Sequence, residues 1–146
     1  MDISFTVTLP VDVDSVPFIR GLCRQALEHL KVERPVVEET TLALTEACAN
    51  VVRHAGDHAG YEVSVAIDDT VCRITVIDDG SGFDRDEAAA RSSLTAAGLD
   101  GDGGAGLRLM QALVDSLDFR RDPDGRHRVS LEKRLSRPAL RLLDRG

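Results

Sequence analysis

The sequence predicts an α+β fold: a two-layer sandwich in which helices cover one face of a mixed, mainly antiparallel sheet. Three observations predict it. Strand-like alternation comes mostly in adjacent pairs joined by short turns, as in hairpins. Two helical stripes stand together between the first strand and the first hairpin. Helices and strands therefore do not alternate one for one, which argues against a doubly wound parallel sheet.

Each element has its own warrant. In ISFTVTL, Ile3, Phe5, Val7 and Leu9 share one face, and Pro10 ends the strand. In DSVPFIRGLCRQALEHL, Ile19, Leu22, Cys23, Ala26, Leu27 and Leu30 recur at helical spacing. Asp14 or Ser15 can cap this helix, and Pro17 suits its first turn. A second helix of about 20 residues begins near Pro35, with the stripe Val37, Thr41, Leu44, Cys48, Val51 and Ala55. YEVSVAI and VCRITVID form a hairpin turning at Asp68 and Asp69. A short helix over DRDEAAAR follows, then the Gly-rich stretch SSLTAAGLDGDGGAG, which reads as a mobile loop. GLRLMQALVDSL reads as a helix starting at the glycines. DFRR and HRVSLEKRL make a last hairpin through DPDGR, and SRPALRLLDRG is a weakly amphipathic tail.

The bulk properties exclude several classes. A chain of 146 residues with 42% hydrophobic residues is one domain with a real core. Aromatic residues are only 3%, which argues against a stacking surface for single-stranded nucleic acid. The net charge of −7 disfavours a general DNA binder. Charge is uneven: from Asp118 onward nine Lys and Arg face five Asp and Glu, a local +4 on a body of −11. No stretch is long and apolar enough to span a bilayer, and MDISFTVTLP lacks the pattern of a signal peptide. Cys23, Cys48 and Cys72 are odd in number, far apart and set in apolar patterns. They read as core thiols of a cytoplasmic protein, not as a zinc site or a disulfide frame.

Three segments carry chemistry. In TEACANVVRHA, Glu46, Asn50 and His54 are spaced four apart on one helix face. A carboxylate there can accept a proton from an attacking hydroxyl, and an amide oxygen is a hard neutral ligand for Mg²⁺. In IDDGSGFD, Asp78 ends a strand ahead of Gly80 and Gly82. The glycines allow close approach to a flat ring, and the carboxylate can accept from an exocyclic amine such as adenine's. In GDGGAGLRLM, Gly101, Gly103, Gly104 and Gly106 lead into a helix, whose N-terminal N–H groups can bind phosphate. Each segment also has a plainer reading: a solvated polar pair, a turn, and a linker before a helix.

Taken in this order, the three segments resemble the N, G1 and G2 boxes of the GHKL ATPases (gyrase, Hsp90, histidine kinases, MutL). LTEACANVVRHA and VIDDGSGFD are most similar to the stand-alone anti-sigma-factor serine kinases of Gram-positive bacteria. The resemblance implies a Bergerat-type ATP-binding kinase domain over residues 1–134 and a C-terminal tail over 135–146. It implies Glu46 as general base, Asn50 as Mg²⁺ ligand and His54 close to the phosphates or closing the pocket. Asp78 would accept the adenine amine, Gly80 and Gly82 would line the base, and Gly103, Gly104, Gly106 and Leu107 would meet the nucleotide. ATP and Mg²⁺ are the implied cofactors. A sigma factor, an anti-sigma-factor antagonist phosphorylated on serine and a second copy of the chain are the implied partners, with no nucleic acid and no membrane.

One departure from the family pattern stands out. Members often carry a Thr-Lys pair in the loop before the last helix, where this chain has Thr95-Ala96-Ala97. Between Arg91 and Arg108 there is no Lys or Arg, while Asp100 and Asp102 add negative charge. Arg53, Arg91 and Arg108 are the candidates to offset the γ-phosphate. The intact Glu46 favours a kinase, and the uncharged loop favours a binding module that transfers nothing.

Overall fold

The structure, a computed structural model, describes residues 1–54, 60–78 and 102–135. The chain runs β1 (Ile3–Pro10), α1 (Ser15–His29), α2 (Arg34–His54), β2 (Gly60–Ile67), β3 (Val71–Asp78), α3 (Asp102–Leu113), β4 (Ser116–Arg121) and β5 (His127–Arg134). The five strands form one sheet in the order β1-β2-β3-β5-β4, and every described pairing is antiparallel. The expected helix over 84–91, residues 92–101 of the expected loop over 92–106 and the tail over 136–146 lie outside the described residues, while residues 102–106 of that loop are helical.

Strand alternation decides which face is covered. On β2, Tyr61, Val63, Val65 and Ile67 are buried, and their direct partners Asp78, Val76, Ile74 and Cys72 on β3 are buried with them. Ile19, Cys23 and Leu27 of α1 and Leu44, Cys48 and Val51 of α2 close the same core. All three cysteines are free and buried there, as expected of core thiols. Burial pushes the Cys48 thiol up to about 12, so it stays protonated. The β2–β3 turn is held by Asp68, whose carboxylate accepts from the N–H groups of Thr70 and Val71. These bonds favour the charged form and pull the Asp68 carboxyl below its usual range.

Two boundaries differ from the sequence reading. No side chain of Asp14 caps α1, and Ser15 turns inward instead, its Oγ bonding Asp12 O at 2.6 Å and lying 2.6 Å from Tyr61 Oη. The Asp12 carboxylate takes the Asp14 N–H at 3.0 Å. The last helix is displaced as well. It was expected over 106–117, but it spans Asp102–Leu113 and stops where β5 captures Asp115. The Asp115 N–H donates to Glu132 O at 2.8 Å, and its carboxylate accepts from the Arg134 N–H at 2.6 Å. Ser116 and Leu117 are then drawn into β4.

The sheet register sets up the site. One cross-strand row runs Leu9–Tyr61–Asp78–His127–Arg121 through all five strands. It is the end row of β3 and β5, and it carries polar groups where the neighbouring row, Val7–Val63–Val76–Val129–Phe119, is apolar.

Candidate functional site

The polar residues of α2 divide into two kinds. Thr40, Thr41 and Thr45 each turn a hydroxyl back onto the carbonyl four residues earlier, at 2.6, 2.8 and 2.7 Å. They are satisfied within the helix. Asn50 is not. It is only 2% exposed, yet among the described residues its Nδ2 has no hydrogen-bond partner. Its Oδ1 accepts from Arg53 Nη2, one turn further along. A buried donor left without a partner costs about 1–3 kcal/mol. Such a cost points to a side chain arranged for something other than folding.

Gly106 of α3 lies directly against this group. A Cβ built on Gly106 would sit 2.6 Å from Glu46 Oε1 and 3.7 Å from both Asn50 Oδ1 and Arg53 Nη2. The carboxylate, the amide oxygen and the guanidinium thus converge at one point on the α2–α3 seam. No other residue type leaves the Glu46 carboxylate in place. Gly106→Ala should therefore displace the flexible end of Glu46 rather than unfold the protein. Ala is the better helix former by about 0.5–1 kcal/mol, so thermal stability should hold or rise slightly while any Glu46-dependent activity falls. A lowered melting temperature in Gly106→Ala would contradict this account.

Asp78 ends β3 with 2% exposure, on the helix-covered face. Tyr61 stands opposite it on β2 and His127, 5% exposed, opposite it on β5. A polar row buried at the end of an apolar face has the character of a pocket wall. His54 is the last residue of α2 and half-buried. Gly103 and Gly104 fall in the first turn of α3, among the four residues whose N–H groups have no partner inside the helix. Leu107 is 8% exposed and packs on Leu117 and Phe119, so its side chain serves the seam between α3 and β4. Gly80 and Gly82 lie outside the described residues.

Of the three cations named from the sequence, Arg53 is at the Glu46–Asn50 group, Arg108 is exposed on α3, and Arg91 lies outside the described residues. Sequence reasoning missed His127. Its signal was weak: one histidine at the start of a strand, meaningful only once β5 is known to pair with β3. Among the described residues no group of three or more His, Cys, Asp and Glu could hold a metal. Mg²⁺ takes one or two protein ligands and the rest from phosphate and water. Asn50 Oδ1, a neutral amide oxygen close to the Glu46 carboxylate under Gly106, is the donor type such an ion takes.

Comparison with known proteins gives the same direction. Residues 9–133 match the histidine kinase-like ATPase domain. The serine-protein kinase RsbW of Halalkalibacterium halodurans is 31% identical over 125 residues, which cover 80% of this chain and 75% of that one. Among solved structures, the RsbU and RsbW domains of Rv1364c from Mycobacterium tuberculosis superpose with a TM-score of 0.68 at 21% identity. That match covers 93% of this chain but only 33% of the other, so this chain spans about a third of that longer protein. The SiaB–SiaC complex from Pseudomonas aeruginosa superposes at a TM-score of 0.60 and 17% identity, covering 89% of both chains. At these identities the solved structures speak for the fold. The chain belongs to the histidine kinase-like ATPase domain family, among relatives of the serine-protein kinase RsbW.

Proposed function

We propose that this chain is an anti-sigma factor and an ATP-dependent serine protein kinase. It binds Mg²⁺-ATP between the second half of α2, the end of β3 and the start of α3, and transfers the γ-phosphoryl group to a serine of an anti-sigma-factor antagonist. The observation that carries the reading is the convergence of Glu46 Oε1 and Asn50 Oδ1 beneath Gly106. The serine Oγ forms the new bond to phosphorus, its proton passes to the Glu46 carboxylate, and the bond to the β,γ-bridging oxygen breaks to release ADP. Asn50 Oδ1 would hold Mg²⁺, which supplies charge neutralisation at the phosphates. In this reading Arg53 faces the γ-phosphate and takes the part that the uncharged loop lacks; its position beside Asn50 Oδ1 supports that. Asp78 accepts the adenine amine.

The sigma factor is held by the protein's surface, separately from the chemistry, and the working form is a homodimer in the cytoplasm. No described helix is long and apolar enough to cross a membrane. The test is incubation with γ-labelled ATP, Mg²⁺ and candidate antagonists, each beside its serine-to-alanine control. Label should appear on the antagonist, depend on Mg²⁺ and vanish in the control. Tight sigma-factor binding with no transfer to any candidate would make the chain a binding module instead.

A further inference from the structure

His127 faces Asp78 across the β3–β5 ladder as its direct partner. Direct partners in an antiparallel pair share a face, with Cβ atoms about 5 Å apart. Both residues are buried, at 5% and 2% exposure. On its other side His127 is the direct partner of Arg121 on β4, and Arg121 Nη2 lies 3.3 Å from His127 Nε2. A guanidinium has five donors and no acceptor. A ring nitrogen bonded to it must therefore present its lone pair. That leaves the imidazole proton on Nδ1 and the ring neutral.

We propose that His127 is a positioning residue for nucleobase recognition: Arg121 fixes its neutral Nδ1–H form, and that N–H donates to one oxygen of Asp78. The inference rests on the reading of Asp78 as the adenine acceptor. One carboxylate oxygen is then committed to the protein, and the other is aimed at the ligand's exocyclic amine. A neutral donor suits this task. It orients the carboxylate by a charge-assisted bond without cancelling the negative charge that makes Asp78 a strong acceptor. A protonated imidazole in the same place would compete with the amine for that charge. The selectivity that follows is for a base with an amine at this edge over one with a carbonyl, that is, adenine over hypoxanthine.

The test has two independent readouts on the full chain. The first is the ¹⁵N imidazole spectrum at pH 7.5, with the His127 signal identified by its loss in His127→Asn. The Nδ1–H tautomer is expected, and Arg121→Met should give a mixture of tautomers. An Nε2–H or doubly protonated ring in the wild type, or no change in Arg121→Met, would overturn the proposal. The second readout is the affinity ratio of ADP to IDP by calorimetry. Asn places its amide N–H close to where Nδ1–H stood, so His127→Asn should keep the ratio within about threefold. His127→Leu removes a donor to a charged acceptor and should lower the ratio about 10- to 100-fold. Equal loss in both variants would reduce His127 to packing. A wild type that binds ADP and IDP equally would instead remove Asp78 as the adenine acceptor, and the proposal with it, while the spectrum would still report the tautomer.

Discussion

Glu46→Gln should lower phosphoryl transfer by about 10²–10⁴-fold, the usual loss when a general base is removed, and should leave ATP affinity nearly unchanged. The substitution keeps the length of the side chain and one carbonyl oxygen. The clearance beneath Gly106, where a Cβ would meet Glu46 Oε1 at 2.6 Å, is therefore preserved. What disappears is the capacity to take the serine proton. Asn50→Ala behaves differently, because the amide oxygen is proposed to hold Mg²⁺. There the Mg²⁺-dependent part of ATP affinity falls together with the rate. Single-turnover transfer and calorimetry with and without Mg²⁺ separate the two variants. Equal rates for wild type and Glu46→Gln would remove Glu46 from the chemistry, and unchanged Mg²⁺ dependence in Asn50→Ala would remove Asn50 from the metal.

Asp78→Asn should weaken ADP by about 10²-fold, at the upper end for one hydrogen bond to a charged acceptor. It also narrows or reverses the preference for ADP over IDP. The reasoning is chemical. A carboxylate only accepts, so it selects an amine, whereas an amide can also donate and can greet the hypoxanthine carbonyl. The two side chains have nearly the same volume. The packing of the end row beside Tyr61 and His127 should survive, and the melting temperature should change little. Undiminished ADP binding in Asp78→Asn would place the base elsewhere. A large drop in melting temperature would show the buried carboxylate to be structural.

Much of the fold was legible because it rests on local periodicity. The alternation in β1, β2, β3 and β5 and the stripes of α1 and α2 are properties of a few consecutive residues, and hydrophobic burial acts on them directly. The end of α3 was not legible. VDSL continues a helical pattern, but Asp115 is held by Glu132 and Arg134, residues distant in sequence. The candidate site shows the same division. The residue types Glu46, Asn50 and Asp78 could be read from spacing. Gly106 could be read only as the start of a phosphate-binding helix; that the Glu46 carboxylate packs against it is a tertiary fact. That Arg53, one turn beyond Asn50, bonds its amide oxygen also needed the α2 geometry. His127 acquires meaning only from strand order, because β5 inserts between β3 and β4.

The face of the sheet away from α1 and α2 has a different consequence. Its middle row, Thr6–Ser64–Thr75–Ser130–Asp118, crosses all five strands with short polar side chains, and Thr6 Oγ1 lies 2.9 Å from Ser64 Oγ. Hydroxyls on a β-surface satisfy one another or water and present no apolar patch to a third layer. The molecule is thereby divided into a side that carries its chemistry and a side open to alteration. A fluorophore or cross-linker attached at Thr75 or Ser130 would ride on β3 or β5, the strands that end in Asp78 and begin with His127, while standing on the opposite surface from them. That back surface is the natural place for a reporter.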